Sequence, residues 1–199
     1  MAVSDEDSRK IEQVFFWCDQ QRDAARRFCS SAAIVVDGTF RTNNKGLILL
    51  IAVGKSNTQR TFPVAFSWCP EEDGESYAFF HKCLREEIFE DIPEPQVVIS
   101  DISGGNTKAV DRLNAIPNSK LQYCEFHARE AMLVWFSRTG KYDAARCQEE
   151  LKPLIVAYIT SWTEQALSQN RTALLNYLHE PGRQYIKENW LPREQRVIR

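Results

Sequence analysis

Two aspartates stand out because each closes an apolar run. Asp37 ends Ala33-Ile34-Val35-Val36-Asp37 and leads into Gly38-Thr39-Phe40-Arg41-Thr42-Asn43, while Asp101 ends Val97-Val98-Ile99-Ser100-Asp101. A carboxylate at the end of a buried strand needs a cation, a hydrogen-bond network or open water, because burying it unpaired is expensive. Paired carboxylates are ligands for a hard cation: Mg²⁺ takes one or two of them and keeps its other positions for water and phosphate oxygens. Two such ions about 4 Å apart activate water and stabilise the leaving oxygen of a phosphodiester. The competing reading is local: Asp37 caps the Gly38-Thr39 turn and Asp101 caps the following helix. Spacing alone leaves both open.

A second chemistry is excluded more firmly. Asp-Gly-Thr-Phe is similar to the first motif of haloacid-dehalogenase-type phosphatases, whose nucleophilic Asp lies two residues earlier. Here that position is Val35, and an apolar side chain cannot accept a phosphoryl group. The acid pair expected later in that motif is also missing, since Asp101 is followed by Ile102-Ser103-Gly104-Gly105-Asn106.

The elements that must position these acids follow from periodicity. Residues 8–29 carry Ile11, Val14, Phe15, Cys18 and Phe28 among charges, a spacing that predicts an N-terminal helix within residues 1–30. Residues 33–40, 47–55 and 61–69 are apolar, β-branched and aromatic, with turn-rich linkers between them, and predict a three-strand antiparallel meander. Pro63 suits a strand start or an edge. Residues 74–89 return to helical spacing, 95–101 form a short strand, 104–114 a small helix and 121–126 a fifth strand. From Ala128 on, the pattern is all helix, and Leu154, Ile155, Tyr158, Ile159 and Trp162 predict an apolar stripe. Right-handed crossovers then give an α/β fold with a mixed five-stranded sheet in the order 3-2-1-4-5. In that order the strands ending in Asp37 and Asp101 are neighbours.

Composition sets the outer bounds. The chain has 199 residues, 43% of them hydrophobic, which supports a real core. Net charge is −2, so no global basicity announces a nucleic acid, although residues 128–199 hold 11 Lys/Arg against 8 Asp/Glu and the preceding residues 14 against 19. The six cysteines are scattered with no Cys-x-x-Cys pair, which reads as free thiols in a reducing compartment. No run approaches the ~18 apolar residues of a membrane span, and the start, Met1 to Lys10, is acidic with no apolar signal region.

Taken together the motifs resemble the Mutator-like element (MULE) transposases, most closely the fungal type. The matching pieces are residues 14–19 (VFFWCD), 37–43 (DGTFRTN), 61–80 (TFPVAFSWCPEEDGESYAFF), 97–101 (VVISD), 124–127 (CEFH) and 161–167 (SWTEQAL). The resemblance implies an RNase H-like catalytic core over residues 31–127 and a helical insertion over 128–199. It implies a DDE mechanism in which acids hold Mg²⁺ or Mn²⁺ for DNA cleavage and strand transfer. Asp37 matches the first acid and Asp101 the second, as both catalytic and metal-binding residues. The third acid of the family, a Glu after the insertion, has no match in context: Glu164, Glu180, Glu188 and Glu194 lack its surroundings. The core is therefore expected to be incomplete and the insertion truncated, with little cleavage by this chain alone. The alternative is a domesticated or decayed domain that binds DNA or protein without cutting. Cys124 and His127 match a family motif of unknown role; Cys-x-x-H is half a zinc site, with no second pair at ligand spacing. His81 and His179 read as ordinary surface or packing residues. The implied partner is DNA at transposon ends, with a homo-oligomer possible, no membrane and no small-molecule substrate. The implied location is nuclear, without a clear localisation signal, and otherwise cytoplasmic.

Overall fold

The structure is a computed structural model that describes residues 13–102, 104–139 and 142–197. The chain forms two compact units, one up to Leu121 and one from Gln122 onward. The first strand, β1 (Val14–Phe16), precedes helix α1 (Asp19–Phe28). The meander follows as β2 (Ala33–Thr39), β3 (Ile48–Lys55) and β4 (Thr61–Cys69). Helix α2 (Gly74–Cys83) runs on into one turn of π-helix, Leu84–Ile88, before β5 (Val97–Ser100), α3 (Gly104–Leu113) and β6 (Lys120–Tyr123).

The sheet is mixed and six-stranded, in the order β1-β4-β3-β2-β5-β6. Strands β2, β3 and β4 pair antiparallel, and β5 runs parallel to β2. This corrects the expected five strands and their order. The difference lies in β1, which pairs antiparallel with β4 through Val14↔Trp68, Phe15↔Ser67 and Phe16↔Phe66. The helix expected over 8–29 therefore starts only at Asp19; residues 1–12 lie outside the described residues. The physical reason is local. Val14-Phe15-Phe16 is β-branched and aromatic, and its rings pack flat on the sheet, Phe16 stacked on Phe66 at 5.3 Å. Cys18 then starts the helix, its N–H donating to Gln21 Oε1 at 2.9 Å. Pro63 sits where β4 lacks β1 as a partner, beside a register shift at Ala52/Val53.

The alternation of β3 is strict, with Ile48, Leu50 and Ala52 buried. The core of this unit is completed by Tyr77, Phe80, Leu84 and Ile88 from α2 and its π turn. Asp73 caps α2, its Oδ1 accepting from Ser76 N–H at 2.8 Å.

In the second unit α4 (Glu125–Arg138) is followed by α5 (Ala144–Arg146), a π turn (Cys147–Leu151) that continues into α6 (Lys152–Ile159), then α7 (Glu164–Tyr177), α8 (Glu180–Asn189) and α9 (Glu194–Val197). Its core is aromatic: Trp135 stacks on Tyr185 at 4.0 Å, and Phe136 meets Tyr142 and Tyr185 edge-on. Ile155, Tyr158 and Ile159 are buried as the expected stripe, whereas Trp162 lies past the end of α6 and is 73% exposed. Among the described residues no helix is long and apolar enough to cross a membrane.

Candidate functional site

The parallel pairing of β2 with β5 builds the site. Val36 is registered with Ser100, so Asp37 and Asp101 occupy the next position on adjacent strands, at the same end of the sheet. Asp37 is exposed and Asp101 half-buried. One carboxylate oxygen of Asp37 accepts from Gly38 N–H at 2.9 Å, the local cap that the competing reading expected. That leaves the rest of the carboxylate facing solvent. The loop beyond Asp37 is shaped by Asn43: its Oδ1 accepts from the N–H groups of Lys45 (2.9 Å) and Leu47 (3.1 Å). Arg41 holds a positive φ of 58° in that loop, next to Phe40, which is 56% exposed.

A third carboxylate arrives from an unexpected direction. Glu72 lies between β4 and α2, and its Oε1 comes within 3.0 Å of where a Cβ on Gly38 would stand. The buried Tyr77 hydroxyl donates to the same oxygen at 2.7 Å. Burial pushes the Glu72 carboxyl above the usual carboxylate range, the Tyr77 hydrogen bond draws it back, and the negative charges of Asp101 and Asp37 push it up again. The Glu72 loop is held in place by close backbone packing on α3: a Cβ on Gly105 would stand 2.6 Å from the Glu72 carbonyl oxygen. Glu75 and Lys108 add a salt bridge at 2.9 Å between α2 and α3. One turn further along α2 from Tyr77, His81 is fully buried with Nε2 2.8 Å from Asn106 Oδ1, and burial depresses its pKa to about 4.

Sequence reasoning missed Glu72 because it sought the third acid far down the chain. The available signal was Glu71-Glu72-Asp73 between a strand and a helix, where capping uses only Asp73. The four later glutamates all fall in the second unit. Glu164 is exposed in the first turn of α7, Glu180 pairs with Arg183 at 3.3 Å, and Glu188 accepts from Gln184 at 2.6 Å. Glu194 accepts from the Tyr158 hydroxyl at 2.8 Å and pairs with Arg171 at 3.0 Å. Cys124 is the N-cap of α4 and His127 stands in its first turn, with Nδ1 buried and no hydrogen-bond partner.

Among the described residues no three His, Cys, Asp or Glu side chains are spaced to hold a metal ion between them. The carboxylates of Asp37, Asp101 and Glu72 offer only oxygen, the atom a hard cation takes, without being spaced as a three-ligand cage.

Residues 33–131 match the MULE transposase domain. The matched segment contains Asp37, Glu72, Asp101, Cys124 and His127. No curated protein matches the chain. Among solved structures, the HTLV-2 integrase catalytic core domain in complex with magnesium (trimeric form) is similar at a TM-score of 0.35 and 9% identity, covering 67% of this chain and 88% of that one.

Proposed function

We propose that this chain carries the catalytic segment of a MULE-type DDE transposase, fungal in type and RNase H-like in fold, which opens DNA phosphodiesters at transposon ends and works with Mg²⁺ or Mn²⁺. The observation that carries the reading is the β2/β5 register, which sets Asp37 and Asp101 side by side inside the matched MULE segment. The bound ion would supply Lewis-acid stabilisation of the charge that develops on the phosphoryl oxygens. Asp37 and Asp101 would hold it, each through a carboxylate oxygen. Glu72 would be the third carboxylate, fixed by Tyr77 so that it need not be ordered on binding. Arg41, on the loop directly after Asp37, offers a guanidinium to a backbone phosphate, and the exposed Phe40 ring offers a face to a base. Cleavage by the chain alone would be slow, because no Glu after the helical insertion stands in the family's context for a third acid. A nuclear site of action is part of the same proposal and goes with the proposed DNA partner.

The test is nicking of supercoiled plasmid by the full chain with Mn²⁺. The expected result is slow nicking that disappears in Asp37→Asn and in Asp101→Asn and survives in Glu194→Gln. Nicking that persists in Asp37→Asn, or none at all from the native chain, would overturn the catalytic reading in favour of a domain that binds without cutting.

A further inference from the structure

Asp37 and Asp101 stand at one end of the sheet, and the β2–β3 connection, residues 40–47, leaves from that same end. Phe40 is the first residue past β2 and three positions after Asp37, so the two backbones lie within about 10 Å of each other. Its ring is 56% exposed. Two other exposed rings have company: Phe16 stacks on Phe66, and Arg129 lies over the face of Phe126. Among the described residues no ring or guanidinium covers Phe40. Arg41 and Lys45 follow on the same connection, both exposed. No carboxylate pairs with either among the described residues, whereas Arg26, Arg129, Arg146, Arg171 and Arg183 each meet one. Residues 38–47 hold no acid at all. The β4–α2 connection at the same end carries Glu71, Glu72 and Asp73. An anion approaching this end is therefore drawn to the β2–β3 side.

The connection is also preformed. Asn43 Oδ1 accepts from the N–H groups of Lys45 and Leu47, and Asn43 Nδ2 donates to Leu47 O at 2.6 Å. Gly46 takes a φ of 73°, and Arg41 takes 58°, a left-handed conformation that a bulky side chain seldom adopts. A fixed backbone thus holds one ring and two cations out to solvent, and little ordering is left to oppose binding.

Two cations suit phosphates and a bare ring suits a base. In a duplex the base faces are covered by their neighbours in the stack, and only base edges reach the grooves. A protein ring stacks on a base face where the base is unpaired. We infer that the β2–β3 connection holds an unpaired stretch of DNA strand, with one base on Phe40 and its phosphates on Arg41 and Lys45, a few nucleotides from the phosphate at Asp37 and Asp101. The inference rests on the transposase reading of the same site. It narrows the substrate to DNA whose strands are parted near the point of cleavage.

The probe is a fluorescein-labelled DNA strand of about ten nucleotides, titrated into the full chain in chelator and followed by anisotropy. The blunt duplex of the same sequence and the matched RNA strand are run beside it. The expected result is saturable binding of the single DNA strand, about tenfold tighter than the duplex. Phe40→Leu weakens the single strand about tenfold and leaves the duplex unchanged, and Phe40→Trp restores the preference. Arg41→Gln/Lys45→Gln weakens strand and duplex alike and makes the salt dependence for the strand shallower by about 1.4, two phosphates at about 0.7 each. The three side chains are exposed, so the variants should melt with the native chain. Nicking plays no part in this measurement: a chain that prefers the single strand through Phe40 but fails to nick supports the inference and sinks only the catalytic reading. Equal affinity for strand and duplex, tighter binding of the RNA strand, or single-strand binding that survives Phe40→Leu would each overturn the inference.

Discussion

Glu194 in the second unit and Glu72 in the first are treated in opposite ways. In the second unit each functional oxygen of Glu194 has a partner, Tyr158 on one and Arg171 on the other, and Glu150 accepts from Tyr177 at 2.6 Å with Arg146 at 3.8 Å. Those carboxylates are spent on holding helices together. In the first unit Glu72 sits beside Asp37 and Asp101 with a hydroxyl as its hydrogen-bond donor, and its proton affinity is raised by burial and by like charge. A fold that collects negative charge where it could have placed a cation loses stability there, and such sites are where ligands bind. The contrast separates carboxylates paired within the fold from a carboxylate held among like charges.

The largest effect that sharpens this contrast is acid unfolding. His81 is held at about 4 against an ordinary 6.5, chiefly by burial. A folded-state value below the unfolded one means stability that is full above pH 6.5 and lost as pH falls toward 4. The cost reaches on the order of 3 kcal/mol, and it falls on the first unit. Far-ultraviolet and hydrogen-exchange measurements across that window should show the first unit opening before the second, and His81→Gln should flatten the difference. Simultaneous opening with no effect of His81→Gln would break the contrast.

The next effect is in the second unit. Glu194→Ala strands the buried Tyr158 hydroxyl and the Arg171 guanidinium, and it should destabilise the chain by about 2 kcal/mol. Asp37→Asn should cost almost nothing in the same thermal melt. Equal losses in the two variants would mean that Asp37 is as structural as Glu194.

The smallest effect concerns Glu72. Its raised value means that ionisation opposes folding, so stability falls as pH rises from the ordinary carboxylate range through the folded-state value. Glu72→Gln keeps the oxygen that accepts from Tyr77 and removes the charge. It should raise the melting temperature by about 2 °C at pH 7 and leave it unchanged at pH 4. A drop at pH 7 would show that Glu72 is an ordinary structural acid.

Much of this was legible in the sequence, and the exceptions have physical causes. The β2 and β5 runs announce themselves because a strand buried on both faces must be continuously apolar, so a terminal aspartate in each is conspicuous. Their adjacency followed from crossover handedness. Strand β1 was hidden because three residues are too few to show a period, and Val14, Phe15 and Cys18 also fit a helix. Trp162 fitted a helical stripe, but α6 ends at Ile159 and Thr163 caps the next helix, its side chain accepting from Ala166 N–H at 3.1 Å. Glu72 showed in the sequence only as an acid not needed for capping α2; its proximity to Gly38 depends on how the β4–α2 connection folds back over β2, which no local spacing encodes.

The central claim is that the acids at the end of β2 and β5 form a cation site while those of the second unit do not. Titration of Mn²⁺ into the full chain, followed by the loss of the free-ion electron paramagnetic resonance signal, tests it most directly. Saturable binding should be seen in the native chain, be lost in Asp37→Asn and Asp101→Asn, weaken in Glu72→Gln, and be unchanged in Glu194→Gln. Binding that is unaffected by Asp37→Asn and Asp101→Asn, or that is lost in Glu194→Gln, would contradict it.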